Sequence, residues 1–227
     1  MTLSTRFYAA ALYVDPRGPY PKIGGVDVWD EQRDARVYAG PLPVIAHPPC
    51  GPWGNLRAFC TKQDRSLAPV AVEQVRRWGG VLEHPQGSKL WPECGLPKPG
   101  EPPDASGGFS VQVEQVAWGH KATKATWLYF VGVDRNLVER TRRTGGTPTH
   151  VVSQTRGKNA RGLKRLGDDV RHLTPPAFAE WLVTLVRTVR EGAAYACPRC
   201  RGFGRPDTDD CCSYVCADCG FAYSPTF

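Results

Sequence analysis

Two short strands joined through one helix constrain the fold of this chain more than any other feature. Residues 44–46 are typical of a buried strand, residues 66–78 carry apolar side chains at helical spacing, and residues 81–83 resume as a strand after Gly79-Gly80. Such a strand–helix–strand unit is parallel, because a crossover helix returns the chain to the same edge of the sheet. Residues 126–131 are dense in aromatic and β-branched side chains and add the strongest strand. The pattern therefore predicts an α/β sheet.

The composition agrees with a folded chain of this class. Hydrophobic residues make up 41% of the 227 residues, which suffices for a core. The sequence lacks the apolar core of a signal peptide and any apolar run of about 18 residues, so we expect no membrane partner and a location in the cytoplasm. The net charge of +7 favours polyanionic partners, DNA among them.

Shifts in composition divide the chain into four segments. Residues 1–134 carry the strand and helix signals of the α/β domain, and within them the Pro- and Gly-rich residues 92–108 predict a loop. Residues 135–172 are rich in Lys and Arg, which predicts a basic loop segment. Residues 173–192 predict an amphipathic helix that packs on the sheet, and residues 193–227 hold a cysteine-rich tail.

The tail has the cysteine spacing of a zinc ribbon. Two Cys-x-x-Cys pairs separated by 15 residues offer four thiolates to one tetrahedral ion, and a short tail cannot bury a core without such a ligand. The predicted ligands are Cys197, Cys200, Cys216 and Cys219. Cys211 and Cys212 either replace one of these sulfurs or have no metal role. We therefore expect a structural zinc ion in this tail.

A single cysteine follows the first strand of the parallel unit. The run His47-Pro48-Pro49-Cys50 lies where that strand ends, and ligands of α/β sheets bind at this carboxyl edge. A predicted helix start at Asn55 would lower the pKa of the Cys50 thiol, which makes Cys50 a candidate nucleophile. The alternative is a buried structural cysteine after a turn.

A carboxyl group follows the second strand of the same unit. Glu83 ends that strand one crossover later, so the two strand ends would place Glu83 and Cys50 in one pocket. Residues 118–126 lead into the strand at 126–131. If that strand is antiparallel, Lys124 and Thr126 begin it at the same edge of the sheet.

These ordered motifs resemble the DNA cytosine-5 methyltransferases. Residues 44–54 look like the catalytic Pro-Cys loop of that family, residues 82–85 like its Glu-Asn-Val element, and residues 118–132 like its Tyr-Gly to Val-Gly segment. Residues 171–175 resemble its Arg-x-Leu-Thr stretch before a closing helix. The resemblance implies a Rossmann-like, methyltransferase-type mixed sheet with a shortened N-terminal half and an activity on carbon 5 of cytosine in DNA.

The resemblance also implies roles for individual side chains. Cys50 would add to carbon 6 of the pyrimidine, and Glu83, with a raised pKa, would protonate ring nitrogen 3. Lys124, with Thr126 beside it, would bind the base carbonyl or an adjacent phosphate. The target base would flip out of the duplex, and Trp53 or Arg57 would fill or brace the gap.

The methyl donor of the family is S-adenosylmethionine. The resemblance implies contacts with it from Asp15, Gly18, Asp27 and Pro49. The segments that could hold these contacts, residues 12–18 and 26–30, are separated by too few residues for the usual helix of at least about ten residues. The donor site is thus predicted to be compact, altered or absent. This short region and the small size also suggest a phage or mobile element as the source and a bacterial or phage-infected cell as the location.

Without a large recognition domain, DNA binding would rest on the basic segment and the zinc ribbon. Lys and Arg side chains there would contact phosphates and make the affinity dependent on salt. They are Arg142, Arg143, Arg156, Lys158, Arg161, Lys164 and Arg165. The alternative is a solvated loop without a partner.

Three other functions fit parts of the sequence. Pro48-Pro49 resembles the Pro-Pro loop of amino-group DNA methyltransferases, although His47 and Cys50 stand where that loop needs an amide or carboxylate and an aromatic side chain. The same pyrimidine adduct could accept another donor or water. A non-catalytic adaptor would keep the α/β body only as a scaffold and bind nucleic acid or protein through the ribbon.

Overall fold

The protein is an α/β protein with a mixed six-stranded sheet, which confirms the predicted class. The computed structural model describes residues 7–54, 57, 60, 64–151, 163–167, 170, 172–193, 199, 204–206, 214–216 and 220–223. The sheet contains β1 (Ala9–Leu12), β2 (Val26–Trp29), β3 (Val44–Ala46), β4 (Gly80–Pro85), β5 (Phe109–Glu114) and β6 (Ala125–Val131). The described part of the chain has four α-helices, namely α1 (Leu67–Trp78), α2 (Leu90–Glu93), α3 (Arg135–Thr141) and α4 (Pro176–Ala193).

The strand order is β2-β1-β3-β4-β6-β5. Strands β1 to β4 are parallel, and β6 runs antiparallel to both β4 and β5. The chain moves outward from β1 to β2 and then returns to the other side of β1 as β3. This reversal makes a topological switch point between the carboxyl ends of β1 and β3, where open α/β sheets bind their ligands.

The link from β1 to β2 is short, as the spacing of the motifs predicts. Residues 13–25, all of which are described, contain one turn of 3-10 helix at Tyr20–Lys22 and no α-helix. Tyr13 begins the link with φ of 59°, a left-handed conformation that few non-glycine residues adopt. The N-terminal part of the sheet is therefore compact.

Helices cover both faces of the sheet. Alternate residues of β1 point to opposite sides, so that Ala9 and Ala11 pack in one core cluster while Ala10 and Leu12 pack in the other. The first cluster includes α4, on which five of the six predicted apolar side chains are buried and the sixth, Trp181, is partly buried. The five are Phe178, Leu182, Leu185, Val186 and Val189. The second cluster includes α1 through Ala68, Ala71, Val72 and Val75.

The strand and helix predictions within the α/β body agree with the structure in type and differ at some ends. β4 continues through His84 to Pro85, where the sequence predicts a break, because both residues pair with β6. The predicted loop at 92–108 begins inside α2 and is followed by β5, which the sequence analysis missed.

The segment at 135–172 contains more regular structure than a basic loop. Asp134 caps α3 by accepting a hydrogen bond from the backbone of Asn136, and Val138 is buried. The strand pair β7 (His150–Val151) and β8 (Lys164–Arg165) follows it. A capping aspartate and one buried valine are thus enough to order the start of this segment, and the loop prediction is wrong there.

The tail contains a three-stranded antiparallel sheet of β9 (Gly204–Pro206), β10 (Tyr214–Cys216) and β11 (Ala222–Tyr223). Cys216 lies at the end of β10. Cys197, Cys200 and Cys219 lie outside the described residues, as do Cys211 and Cys212. The zinc ribbon therefore stays a prediction. Among the described residues, no helix combines the length and the apolar character that crossing a membrane requires.

Candidate active site

The carboxyl ends of β3 and β4 bring a histidine and a glutamate together. Ala46 pairs with Leu82 in the parallel register, so the next residues on the two strands, His47 and Glu83, lie side by side. His47 Nδ1 is 3.1 Å from Glu83 Oε2, and each side chain is only 10% exposed. The strand register thus sets this contact directly.

A buried tyrosine holds the other nitrogen of the same imidazole. The Tyr20 hydroxyl lies 2.6 Å from His47 Nε2, and Tyr20 is 1% exposed. Burial, with a smaller contribution from Glu83, raises the pKa of Tyr20 well above its usual value, so the phenol keeps its proton. Tyr20, His47 and Glu83 therefore form a continuous hydrogen-bonded row.

The second oxygen of Glu83 is held from the antiparallel hairpin. Gln115 donates from Nε2 to Glu83 Oε1 at 3.0 Å and to Thr126 Oγ1 at 3.0 Å. Thr126 Oγ1 in turn lies 3.1 Å from the Lys124 carbonyl and 3.4 Å from Glu83 Oε1. Both oxygens of the carboxyl group therefore accept hydrogen bonds, which favours the charged form.

Glu83 is a carboxylate in this arrangement. Burial raises its pKa, but the charge of Lys124 and the hydrogen bond from His47 outweigh burial and hold the pKa of Glu83 below its usual range. The sequence analysis predicts a raised pKa for Glu83, and this prediction is wrong. It fails because the opposing groups come from other strands.

Cys50 is exposed beside this buried network. Partial desolvation by the surrounding protein and the charge of Glu83 raise the pKa of the Cys50 thiol, whereas the charge of Lys124 lowers it. The predicted decrease in pKa is therefore wrong in direction. The residues that follow form a single 3-10 turn, Gly51–Trp53, and the predicted helix start at Asn55 lies outside the described residues. Cys50 is thus accessible, and it is mainly a thiol near pH 7.

Two residues predicted to contact DNA are buried instead. Trp53 is 1% exposed, and the Arg65 guanidinium lies 4.0 Å from the centre of its ring. Thr126 is fully buried beside Glu83. Both side chains are enclosed by the fold and do not reach a nucleic acid in this structure. Arg57 is exposed and remains a candidate.

His84, the residue after Glu83, packs inside this edge of the sheet and carries no charge near pH 7. His84 is fully buried, and its Nδ1 lies 2.7 Å from Ser88 Oγ. Burial lowers the pKa of His84 to about 4, although Glu83 opposes the change. His84 is therefore neutral near pH 7 and serves the packing of this edge.

A cavity of about 580 Å³ opens at this edge of the sheet. Its wall contains the loop after β1, including Gly18, and residues from the turn before β6 and the start of α4, including Trp118 and Pro175. Gly18 closes a tight turn onto the Asp15 carbonyl at 2.9 Å, and a Cβ atom there would approach that carbonyl to 3.0 Å. The cavity falls in the size range of small-molecule sites.

The acidic residues predicted for the donor site are bound by arginines. Both carboxylate oxygens of Asp15 accept hydrogen bonds from Arg17, at 3.0 and 2.7 Å, and these bonds lower the pKa of Asp15 to about 2. Asp27 accepts from Arg33 at 2.6 Å and from Trp29 at 2.8 Å. Because the carboxylate oxygens of Asp15 and Asp27 already accept these hydrogen bonds, they are less open to a ligand than we expect from the sequence.

Two further residues bear on the predicted methyl-donor site, and they lie in the loops after β2 and β3. Asp30 is the residue immediately after β2, whereas Asp27 lies inside that strand. Pro49 is partly buried in the loop that carries Cys50. An acidic residue after the second strand is therefore present at Asp30.

The basic strand pair joins the active-site edge through the turn before β6. Ala122 forms a bridge with His150, and the Lys121 carbonyl accepts from the His150 backbone at 2.9 Å. Four predicted phosphate contacts are exposed, namely Arg142, Arg143, Lys164 and Arg165. Arg142 pairs with Glu139 at 2.9 Å. The others, Arg156, Lys158 and Arg161, lie outside the described residues.

Sequence reasoning missed the side chains that surround Glu83. His47 could have been found, because it is a polar residue placed between a buried strand and Pro48. Tyr20 and Gln115 carry no local signal, since each reaches the site from a 3-10 turn whose position depends on the whole sheet.

Comparisons of the chain with protein-family models, with curated proteins and with solved structures find no match. The function must therefore follow from the chain's own motifs and geometry. Three features stand together at one edge of the sheet: an exposed thiol, a buried carboxylate and the ammonium group of Lys124.

Proposed function

We propose that the protein is a DNA-modifying enzyme that acts on carbon 5 of a pyrimidine, most simply cytosine, through a covalent adduct with Cys50. The observation that supports this most directly is the convergence of Cys50, Glu83 and Lys124 at the carboxyl edge. Each of the two charged groups is close enough to change the pKa of the Cys50 thiol. A nucleophile and a proton-transfer group so placed suit addition to a flat ring.

The chemistry of the ring explains why both groups are needed. Carbon 5 of cytosine becomes nucleophilic when a thiolate adds to carbon 6, because the addition converts the ring into an enamine. Addition is favourable only if ring nitrogen 3 accepts a proton, and Glu83 would transfer it. Carbon 5 then bonds to the electrophile and gives up its proton to water, the proton on ring nitrogen 3 returns to Glu83, and the carbon–sulfur bond breaks to release the Cys50 thiolate.

The topology is compatible with this function. The mixed sheet places the loop after β1 and the loop after β3 on either side of the switch point. The cysteine follows β3 and the glutamate ends β4, in the order of the motifs that resemble the cytosine-5 methyltransferases. A compact methyltransferase-type fold accounts for both features.

The cavity beside Gly18 suits the proposed methyl donor, S-adenosylmethionine. Of the residues expected to contact this donor, Gly18 lines the cavity, and Pro49 and the acidic residues of β2 lie outside its lining. When bound, it would supply an electrophilic methyl group to carbon 5. The pairing of Asp15 with Arg17 favours, as a second candidate, the same adduct chemistry with another donor.

DNA would be bound by the exposed basic residues next to the site. The bridge from Ala122 to His150 ties β7 and β8 to the turn that leads to Lys124. Lys164 and Arg165 on β8 would then contact phosphates near the flipped base. The predicted zinc ribbon would add a second contact with the nucleic acid.

The test is mass analysis of nucleosides from cellular DNA after expression of the protein. We expect a modified cytosine with the wild type and none with Cys50→Ala, and an added mass of one methyl group would identify the donor class. Cys94→Ala serves as the matched control, because Cys94 is a free cysteine away from the site. Modification that persists in Cys50→Ala rules out the adduct. DNA binding without any modified base would favour the adaptor.

A further inference from the structure

The row Tyr20–His47–Glu83 raises a question that the proposed chemistry does not answer. Ring nitrogen 3 needs a proton, yet Glu83 is held as a carboxylate by His47 and Gln115. A carboxylate can deliver a proton only if a neighbouring group supplies one. The only side chain within the described part of the chain that both contacts Glu83 and can carry a transferable proton near neutral pH is His47.

We propose that His47 supplies the proton that Glu83 passes to the pyrimidine, and that Tyr20 fixes the imidazole in both of its charge states. This proposal rests on the proposed function and adds a residue to it. His47 acts through Glu83, so it is a positioning and relay residue for the reaction.

The proton transfer balances in a single chain of steps. The relay requires a transferable proton on His47 Nδ1, which faces Oε2 of the Glu83 carboxylate. The Nδ1 proton of His47 moves to Glu83 Oε2, and as the Cys50 thiolate adds to carbon 6, the Glu83 carboxyl group so formed passes that proton to ring nitrogen 3. His47 becomes neutral, and the reverse transfer restores the resting site when the carbon–sulfur bond breaks.

The position of Tyr20 is compatible with a relay through His47. A phenol can accept a hydrogen bond from Nε2 of an imidazolium and can donate one to Nε2 of a neutral imidazole. The hydroxyl 2.6 Å from Nε2 is therefore a partner of His47 before and after the transfer.

Charged and titratable groups lie near His47 on several of the elements that surround it. The Glu83 carboxylate on β4 faces Nδ1 of the imidazole, and the phenol of Tyr20 faces Nε2. Lys124 acts on the same carboxylate from the turn before β6, and Cys50 titrates in the loop of His47 itself. His84 on β4 is the remaining titratable neighbour, and it is neutral near pH 7.

The experiment measures exchange of the carbon 5 hydrogen of cytosine in DNA for deuterium from solvent. Reversible addition of Cys50 makes this hydrogen exchangeable, and no methyl donor is needed. In the wild type the rate first rises with pH, because more thiolate forms. It then stops rising between about pH 5 and 8, the ordinary range of an imidazole, because each gain in thiolate is offset by a loss of imidazolium.

The main variant is His47→Asn, whose side-chain amide can still donate to Glu83 from the place of Nδ1 but cannot relay a proton. We expect the exchange rate to fall by about 100-fold or more and the plateau to disappear, so that the rate follows thiolate formation alone. Tyr20→Phe should shift the plateau. Tyr38→Phe is its matched control, since Tyr38 is also buried and donates to the Leu42 carbonyl on the other face of the sheet.

The outcomes separate the two proposals. If the wild type shows no exchange at carbon 5, the proposed function is wrong. If the wild type exchanges, and His47→Asn keeps both its rate and its plateau, only the relay is wrong. If His47→Asn does not fold, the profiles of the wild type and Tyr20→Phe decide: a wild-type rate without a plateau, or a plateau unchanged in Tyr20→Phe, contradicts the relay.

Discussion

Gln115 donates a hydrogen bond to Glu83 across 32 positions of sequence, at 3.0 Å from amide nitrogen to carboxylate oxygen. Gln115 begins the 3-10 turn Gln115–Trp118 directly after β5, whereas Glu83 lies near the end of β4. The same amide also holds Thr126 at the start of β6. The carboxylate is therefore positioned by the β5–β6 hairpin as well as by its own strand, and this leaves its other oxygen directed at His47.

Gly80 controls the register on which the contact between His47 and Glu83 depends. It has φ of 119°, and a Cβ atom there would lie 1.9 Å from the Val44 carbonyl oxygen. We expect Gly80→Ala to lower the free energy of unfolding by about 3 kcal/mol, since neither backbone can move without breaking the β3–β4 pairing. Urea unfolding measures this loss. Gly24→Ala, where a Cβ atom meets nothing within 4 Å, should change stability little.

The fold could be predicted from the sequence where periodicity was strong. β3, α1 and β6 each bury a continuous or regularly spaced apolar set, so local pattern and tertiary environment agree. β5 was missed because a long Pro- and Gly-rich stretch precedes it and because exposed Gln112 interrupts its apolar run. Its strand identity depends on pairing with β6, which no local signal records.

The sequence could predict which residues meet at the candidate site, but it could not predict whether their side chains are charged. Strand ends place Cys50 and Glu83 at one edge, and this follows from the order of the elements alone. The direction of each pKa shift depends on which charges approach from elsewhere. Lys124 and His47 reverse the effect of burial on Glu83, and the sequence gives no distance to either group.

Lys124 sets the reactivity of the thiol. Its charge lowers the pKa of Cys50, although desolvation keeps the net pKa above 9.0. We expect alkylation of Cys50 by iodoacetamide to be slow at pH 7 and to rise with pH beyond 9, and we expect Lys124→Met to slow it further at any fixed pH. Peptide mass analysis follows the modified residue. An alkylation rate that is unchanged or faster in Lys124→Met would contradict this electrostatic role.

The cysteine-rich tail should bind one zinc ion per chain. Cys216→Ser removes one of the four predicted thiolates, so we expect metal analysis of the purified protein to show loss of zinc. Cys94→Ser is the matched control and should keep it, because Cys94 is a free cysteine of the α/β body. Chelation should unfold the tail and leave hydrogen exchange at carbon 5 largely intact, because Cys50 and Glu83 lie in the α/β body. Full zinc content in Cys216→Ser would exclude the predicted ligand set.

Lys164 and Arg165 should contribute phosphate contacts. Replacing both with Gln should weaken DNA binding at low salt and reduce the slope of log affinity against log salt by about two, one for each charge removed. Fluorescence anisotropy at several salt concentrations gives the slope. Arg77→Gln is the control, since Arg77 is exposed near the end of α1, next to the amino end of β4 and away from the site. Equal slopes for the wild type and the double variant would remove β8 from the DNA interface.

Glu83 should stabilise the fold in a defined range of pH. Its pKa is lowered in the folded state from the ordinary value of 4.5, so the folded protein binds this proton less readily than the unfolded chain does. The stabilisation is therefore present above pH 4.5 and is lost as the pH falls below it. Urea unfolding of the wild type between pH 7 and 3 should show this loss, and Glu83→Gln should lack it. The same variant should reduce exchange at carbon 5 by about 100-fold or more.

Glu114 provides a control of opposite sign for this measurement. Burial raises the pKa of Glu114, so the folded state holds that proton more tightly than the unfolded chain and gains stability from it as the pH falls. Glu114→Gln should therefore remove a contribution that grows at low pH, whereas Glu83→Gln removes one that disappears there. If both variants change the pH dependence in the same direction, Lys124 and the hydrogen bond from His47 do not outweigh burial at Glu83 in solution.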